Sequence, residues 1–320
     1  MRIPLLVLSL CMAPAMAQVR LEQAPDRIEV TIDGQPFTTF FIGPEATKPY
    51  FHPLRSASGK VVTRYYPMEH REGERRDHPH QRGLWFSHGD VNGYDYWANE
   101  PTQNRPHKGR IVLEKVHHVR SGSKEGALEV SFQWLDPAGK PILREQRIVT
   151  FYSDPVLRIM DFDIRLTALE KVKFGDTKEG TFALRLAPSL EEPARGAAET
   201  PRRTGKMVNA EGLEGERQVW GKRSPWVDYF GEVEGEKLGV AIFDHPSNPK
   251  HPTFWHSRSY GLFAANIFGE HDFLADKTRD GSITLEPGGS LRFRYRVVIH
   301  PGDHQSARIA ELYQKYAALR

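Results

Sequence analysis

An all-β fold, a large antiparallel β-sandwich closed by a C-terminal helix, is what this sequence predicts, and three observations predict it. Apolar residues alternate in twos along most periodic segments, turn-forming sequences separate those segments, and only one stretch carries helical spacing. The alternating segments are 27–32, 36–42, 111–119, 127–134, 156–166, 181–186, 237–243, 282–285 and 291–299, all rich in Val, Ile, Phe and Thr. Between them stand Asp33-Gly34, Asp136-Pro137-Ala138-Gly139, Gly235 and Pro287-Gly288-Gly289, residues that supply turns without steric cost. The helical stretch begins at Asp303, a capping type of residue, and sets Ile309, Leu312, Tyr313 and Tyr316 on one stripe, which predicts a helix packed against the rim or outer face of a sheet.

Ahead of the first strand, residues 1–17 read as an export signal. Arg2 gives a cationic start, 3–12 an apolar run, and Ala15-Met16-Ala17 a small-residue cleavage site before Gln18. The expectation is a periplasmic or extracellular protein whose single domain spans 18–320. Cys11 is the only cysteine, so removal of the signal leaves none, and disulfides, thiolate metal sites and cysteine nucleophiles drop out. With 44 basic against 41 acidic residues and no polybasic run, the composition does not suit nucleic acid or a membrane surface. No apolar run after residue 17 approaches the roughly 20 residues a membrane-spanning helix needs.

Chemistry concentrates between Arg75 and Trp97, where three histidines, arginines, acids and two tryptophans surround two glycine-containing turns. Read as an extended strand, 78–88 puts His78, His80, Arg82, Leu84, Phe86 and His88 on one side, with Gly83 the place for a bulge. The 14 histidines fall into two groups, 52–118 and 245–304, and five of them precede proline, which holds the backbone extended. The loop carrying His245 and His256 is expected to approach the first group across the sandwich. The turn 175–180 adds Asp176 and Glu179, the latter at a turn-to-strand junction where a carboxylate can be aimed. Two other segments read as surface: the charged, small-residue stretch 191–204, and 94–107 as a loop leaving the site.

These residues set out competing expectations. In the first, a carbohydrate is the partner: His80 or His88 moves a proton against Glu179 or Asp176, while Arg82, Trp85, Asp90, Asn92, Trp97, Asp228, His245 and His256 hold the sugar. Mixed aromatic and polar lining suits sugar rings, whose C–H faces are apolar and whose hydroxyls need partners. This reading needs no cofactor. In the second, a divalent metal sits on His78, His80 and His88. A cupin arrangement fails on residues, because Leu84 and Trp85 stand where its glutamate belongs. In the third, the aromatics and arginines make a glycan-binding module without turnover.

The segments 48–55, 73–80, 82–93, 175–180, 226–228, 244–249 and 260–266 together resemble the bacterial family labelled "methane oxygenase PmoA", also called DUF6807, over nearly all of the mature chain. The oxygenase part of that label implies a multi-span membrane subunit, which this hydropathy does not supply. At a coarser level, the closing segment 285–295 resembles the last strands of galactose-mutarotase-like supersandwiches. That resemblance implies the same all-β architecture and a sugar ligand, and carries no individual residue role with it.

Overall fold

Two antiparallel sheets of eight strands face each other in a computed structural model that describes residues 18–193 and 203–320. The segment read as an export signal, with Cys11, lies outside the described residues, as does most of 191–204. Sheet I runs edge to edge through Val19–Gln23, Arg27–Ile32, Gln35–Phe41, Tyr50–Phe51, Leu84–His88, Gly180–Arg185, Leu262–Asn266 and Phe254–Ser257. Sheet II runs through Lys206–Asn209, Trp226–Val233, Glu236–Asp244, Ser290–Pro301, Arg158–Ala168, Pro141–Tyr152, Glu125–Leu135 and Arg110–Arg120. A short pair, Val172–Phe174 with Ile283–Leu285, lies outside both.

Alternation sends one set of side chains from each sheet into a shared core. Phe182 of sheet I stacks on Tyr295 of sheet II at 4.5 Å, and Phe40 and Phe51 meet Phe132 and Phe162 edge-on at 6.1 and 5.7 Å. The outer face of sheet II is covered by the helix Ile309–Ala317, whose Ile309, Tyr313 and Tyr316 bury against Trp226, Phe243 and Val298. Asp303 caps the turn ahead of this helix, accepting from the backbone N–H of Gln305 and Ser306, and the helix proper starts after Arg308 at φ 55°. No helix among the described residues is long and apolar enough to cross a membrane.

The strand expected over 78–88 is shorter, running only from Leu84 to His88. His78 and Gly83 both take positive φ, 46° and 48°, so the stretch before Leu84 leaves extended geometry and folds back over the sheet. Gly83 is required there: a Cβ would lie 2.1 Å from the carbonyl oxygen of Phe51. Glu191 also departs from the sequence reading. It is buried and paired with Arg185 and Arg203 at 3.6 and 3.2 Å, so this end of the 191–204 stretch anchors in the interior.

Candidate functional site

The helix Ile309–Ala317 covers only sheet II, and the centre of the outer face of sheet I is a register row across five strands, Tyr50, Trp85, Ala183, Ala264 and His256, with Phe273 of the short helix Glu270–Phe273 packed 6.1 Å from the His256 ring at its far end. Two alanines in the middle of the row leave room for side chains arriving from the loops. The first of these loops, 64–82, is clamped by arginine. Arg64, fully buried, donates to Asp77 Oδ1 at 2.7 Å and to the carbonyl oxygens of Tyr66 and His78 at 3.1 and 3.0 Å. Arg185, also fully buried, reaches Asp77 at 3.4 Å and lies 4.7 Å from the ring centre of Tyr260. Burial alone would raise the Asp77 carboxyl, but the His78 hydrogen bond and the charges of Arg185, His78 and Arg64 outweigh it and hold the group well below the carboxylate range.

That clamp delivers two imidazoles. His78 stacks on Tyr260 at 5.5 Å with 10° between the ring planes, and its centroid is 5.7 Å from that of His80. His80 Nδ1 lies 2.9 Å from Gln103 Nε2, and the orientation of that amide is assigned by Gln103 Oε1 accepting from the Glu100 backbone N–H at 3.3 Å. An amide nitrogen donates, so Nδ1 of His80 accepts and Nε2 carries the proton of the neutral ring. Burial, reinforced by the charges of Lys48, His78, Arg64 and Arg105, lowers the His80 pKa to about 2, and the ring stays neutral.

The far edge of the face supplies the opposite polarity. His256 Nδ1 lies 2.9 Å from the carbonyl oxygen of Lys178, which only accepts, so Nδ1 is protonated and Nε2 is a bare acceptor. Burial lowers this pKa to about 3, against the pull of the same carbonyl. Glu179 immediately precedes the strand Gly180–Arg185, which pairs with Leu84–His88 on one side and Leu262–Asn266 on the other. Its charge environment includes Lys178 and Asp272, which also flank His256, and His78, which adjoins His80. Burial raises the Glu179 pKa above the ordinary glutamate value, and Lys178 and His78 only partly offset it.

His80 and His256 lie on the outer side of sheet I, 6% and 2% exposed, and Glu179 precedes the strand Gly180–Arg185 of the same sheet, while other candidates are placed elsewhere. His88 points to the core side of sheet I: its Nε2 donates to the Gly175 carbonyl at 2.9 Å, its ring lies 4.5 Å from Phe268, and its Nδ1 is buried without a partner. The expected parity with His80 fails because the backbone turns at Gly83, and the His78–His80–His88 metal set fails with it. Among the described residues no cluster of three or more His, Cys, Asp or Glu is arranged to hold a metal ion. Asp176 accepts from the backbone N–H of His271 and Gly281, bracing the 269–281 loop.

Asp228 and His245 sit on sheet II. Asp228 pairs with buried His300 at 3.0 Å, and His245 ties the chain end down through the Leu319 carbonyl at 2.9 Å, so the loop after residue 244 does not carry His245 across the sandwich. Asp90 stabilises its own turn by accepting from the Gly93 N–H, and Asn92 ties that turn to the strand Val172–Phe174, donating to the Lys171 carbonyl and accepting from the Lys173 N–H. Arg82 is held by Glu100 at 2.6 Å. Trp85 and Trp97 pack together at 5.0 Å and are about 1% exposed, so they form the floor under the loops and offer no open stacking surface.

Residues outside the expected site set build the frame: Arg64, Asp77, Gln103 and Arg185. An arginine inside the apolar run Phe182-Ala183-Leu184-Arg185-Leu186 was the available signal, since a charge in such a strand is retained only with buried partners. Tyr260 and Trp220 also open onto a cleft of about 710 Å³ beside this face, within the roughly 300–1,000 Å³ of small-molecule sites. Trp220 lies 6.5 Å from the His256 ring, edge to face, which joins cleft and face.

Comparison with solved structures returns sugar-associated proteins at low similarity. An α-galactosidase from Lactobacillus brevis aligns with TM-score 0.43 and 10% identity over 93% of this chain and 42% of its own. A galactose mutarotase-like protein from Clostridium acetobutylicum gives 0.42 and 12% over 88% and 98%, and a galactose 1-epimerase from Lactobacillus acidophilus gives 0.39 and 7% over 89% and 98%. The chain spans about two fifths of the α-galactosidase's length. No curated protein matches it in sequence. A family model does, over residues 27–314: the chain belongs to DUF6807, a family of unknown function.

Proposed function

We propose that the chain is an exported carbohydrate-active protein whose sugar site is the outer face of sheet I. The reading is carried by one observation: the outer side of sheet I holds two imidazoles of opposite hydrogen-bonding polarity, His80 with its Nδ1 accepting from Gln103 and His256 with its Nδ1 donating to the Lys178 carbonyl, and Glu179 adjoins Lys178 at the head of the strand Gly180–Arg185. A sugar hydroxyl both donates and accepts, so a face with one fixed donor and one fixed acceptor suits adjacent hydroxyls. Glu179 is the proton-transfer group in this scheme, because a raised carboxyl can take and return a proton closer to neutral pH. His80, at about 2, is assigned a hydrogen-bonding role in place of proton transfer. Epimerisation, elimination and hydrolysis all begin with such a transfer.

The experiment is turnover on a panel of reducing sugars and short oligosaccharides, followed by NMR, with the mature chain and the variants Glu179→Gln and His80→Ala. Loss of rate by about 100-fold or more in Glu179→Gln, with ligand binding retained, is expected for removal of a general acid or base. Undiminished turnover in that variant contradicts the assignment. Binding without turnover in the parent favours the second reading, a glycan-binding module, which the two permanently neutral imidazoles also suit. Export rests on the leader-like 1–17 sequence, and N-terminal sequencing of protein recovered from the periplasm checks it, with Gln18 as the expected first residue.

A further inference from the structure

The cleft next to the sugar face has an uneven charge pattern. Four arginines line it, Arg75, Arg203, Arg217 and Arg258, around an aromatic wall of Trp220 and Tyr260. Two of the four are engaged: Arg258 with Glu216 at 2.9 Å, and Arg203 with Glu191 at 3.2 Å. Arg75 and Arg217 are exposed and make no ion pair with a described residue. Three glutamates share the lining: Glu216 is taken by Arg258, Glu214 is exposed, and Glu192 is raised by burial, which weakens its competition for these guanidiniums. Planar guanidinium forks match carboxylates bidentately, and an adjoining aromatic wall gives the ring that bears the carboxylate a surface to lie on.

We infer that this cleft is a subsite for a carboxylate-bearing sugar, a uronic acid unit, linked to the sugar unit held on the outer face of sheet I. The inference deepens the proposed function and rests on it for the position of the neighbouring unit. Tyr260 and Trp220 connect the two places, one stacking on His78 and the other edge-on to His256, so one chain of two sugar units can contact both. The selective groups are Arg75 and Arg217, and neither belongs to the proton-transfer machinery.

The test is calorimetric binding to the mature chain of a disaccharide ending in glucuronic acid and of its carboxyl-reduced, neutral counterpart. The acid is expected to bind about tenfold or more tightly, with a preference that weakens as salt is raised. In the double variant Arg75→Gln/Arg217→Gln the preference is expected to vanish while affinity for the neutral sugar holds. Equal affinities in the parent, a preference that survives in the double variant, or failure of both disaccharides to bind would overturn the inference. Glu179→Gln separates it from the proposed chemistry: if that variant turns over normally but the acid preference stands, the catalytic assignment falls and the subsite remains.

Discussion

At the scale of single residues, protonation decides what the site can do. His80 and His256 are equally histidine in the sequence, yet a glutamine amide on one and a carbonyl on the other fix opposite tautomers. Nitrogen-resolved NMR of the two rings is expected to show His80 protonated at Nε2 and His256 at Nδ1, both uncharged down to about pH 5, in line with pKa values of about 2 and about 3. Titration of either ring near the ordinary histidine value of about 6.5 would contradict the assignment. The residue types were legible beforehand, since two separate groups of histidines and a carboxylate at a turn are visible in sequence. Their roles were not, because Gln103 and the Lys178 carbonyl are remote in sequence from the rings they orient, and His88 differs from His80 only in which way the chain turns at Gly83.

At the scale of elements, the site depends on how the loop 64–82 is held over sheet I. Replacing Arg185 with Ala leaves Glu191 inside with one ion-pair partner fewer and is expected to cost about 3–5 kcal/mol in denaturant unfolding, the cost of breaking a buried pair. Gly83→Ala, with positive φ and a Cβ forced onto the Phe51 carbonyl oxygen, is expected to cost roughly 2–4 kcal/mol. A change under about 0.5 kcal/mol in either variant would show that the clamp is not needed.

The element scale also shows where alternation fails as a guide. Pro141–Tyr152 is a long central strand that the pattern concealed, because inward positions carry Glu145 and Arg147, paired at 2.6 Å under Trp134. Phe254–Ser257 and Leu262–Asn266 are buried on both faces, so they show no period-two pattern at all. Burial on both faces did not by itself hide a strand, since Gly180–Arg185 and Glu236–Asp244 are buried almost throughout and were legible as 181–186 and 237–243 from their apolar, β-favouring residues.

For the whole molecule, buried neutral histidines make stability fall in acid. The pKa values of His52, His80, His88 and His256 are lowered chiefly by burial, to about 3, 2, 4 and 3. In the unfolded chain these rings take up protons near pH 6.5, while in the folded chain they do so only far below, so the unfolded state binds more protons between. His300 acts in reverse: Asp228 raises its pKa against burial, and its contribution is present below about pH 6.5 and lost as pH rises through the raised value. Net uptake of about three protons on unfolding is expected, and stability at pH 5.5 lower than at pH 7.5 by on the order of 4 kcal/mol. Urea unfolding at the two pH values reads this directly, and equal stability would contradict the neutral, buried state of these rings.

The central claim is that a sugar docks on the outer face of sheet I, between His80 and His256 and against Glu179. A crystal structure of the mature chain soaked with a bound mono- or disaccharide tests it most directly. The expected result places sugar oxygens within about 3 Å of His80 Nε2 and His256 Nε2, with Glu179 facing the anomeric end. Sugar bound on the opposite sheet, or on this face with neither imidazole in contact, would contradict it.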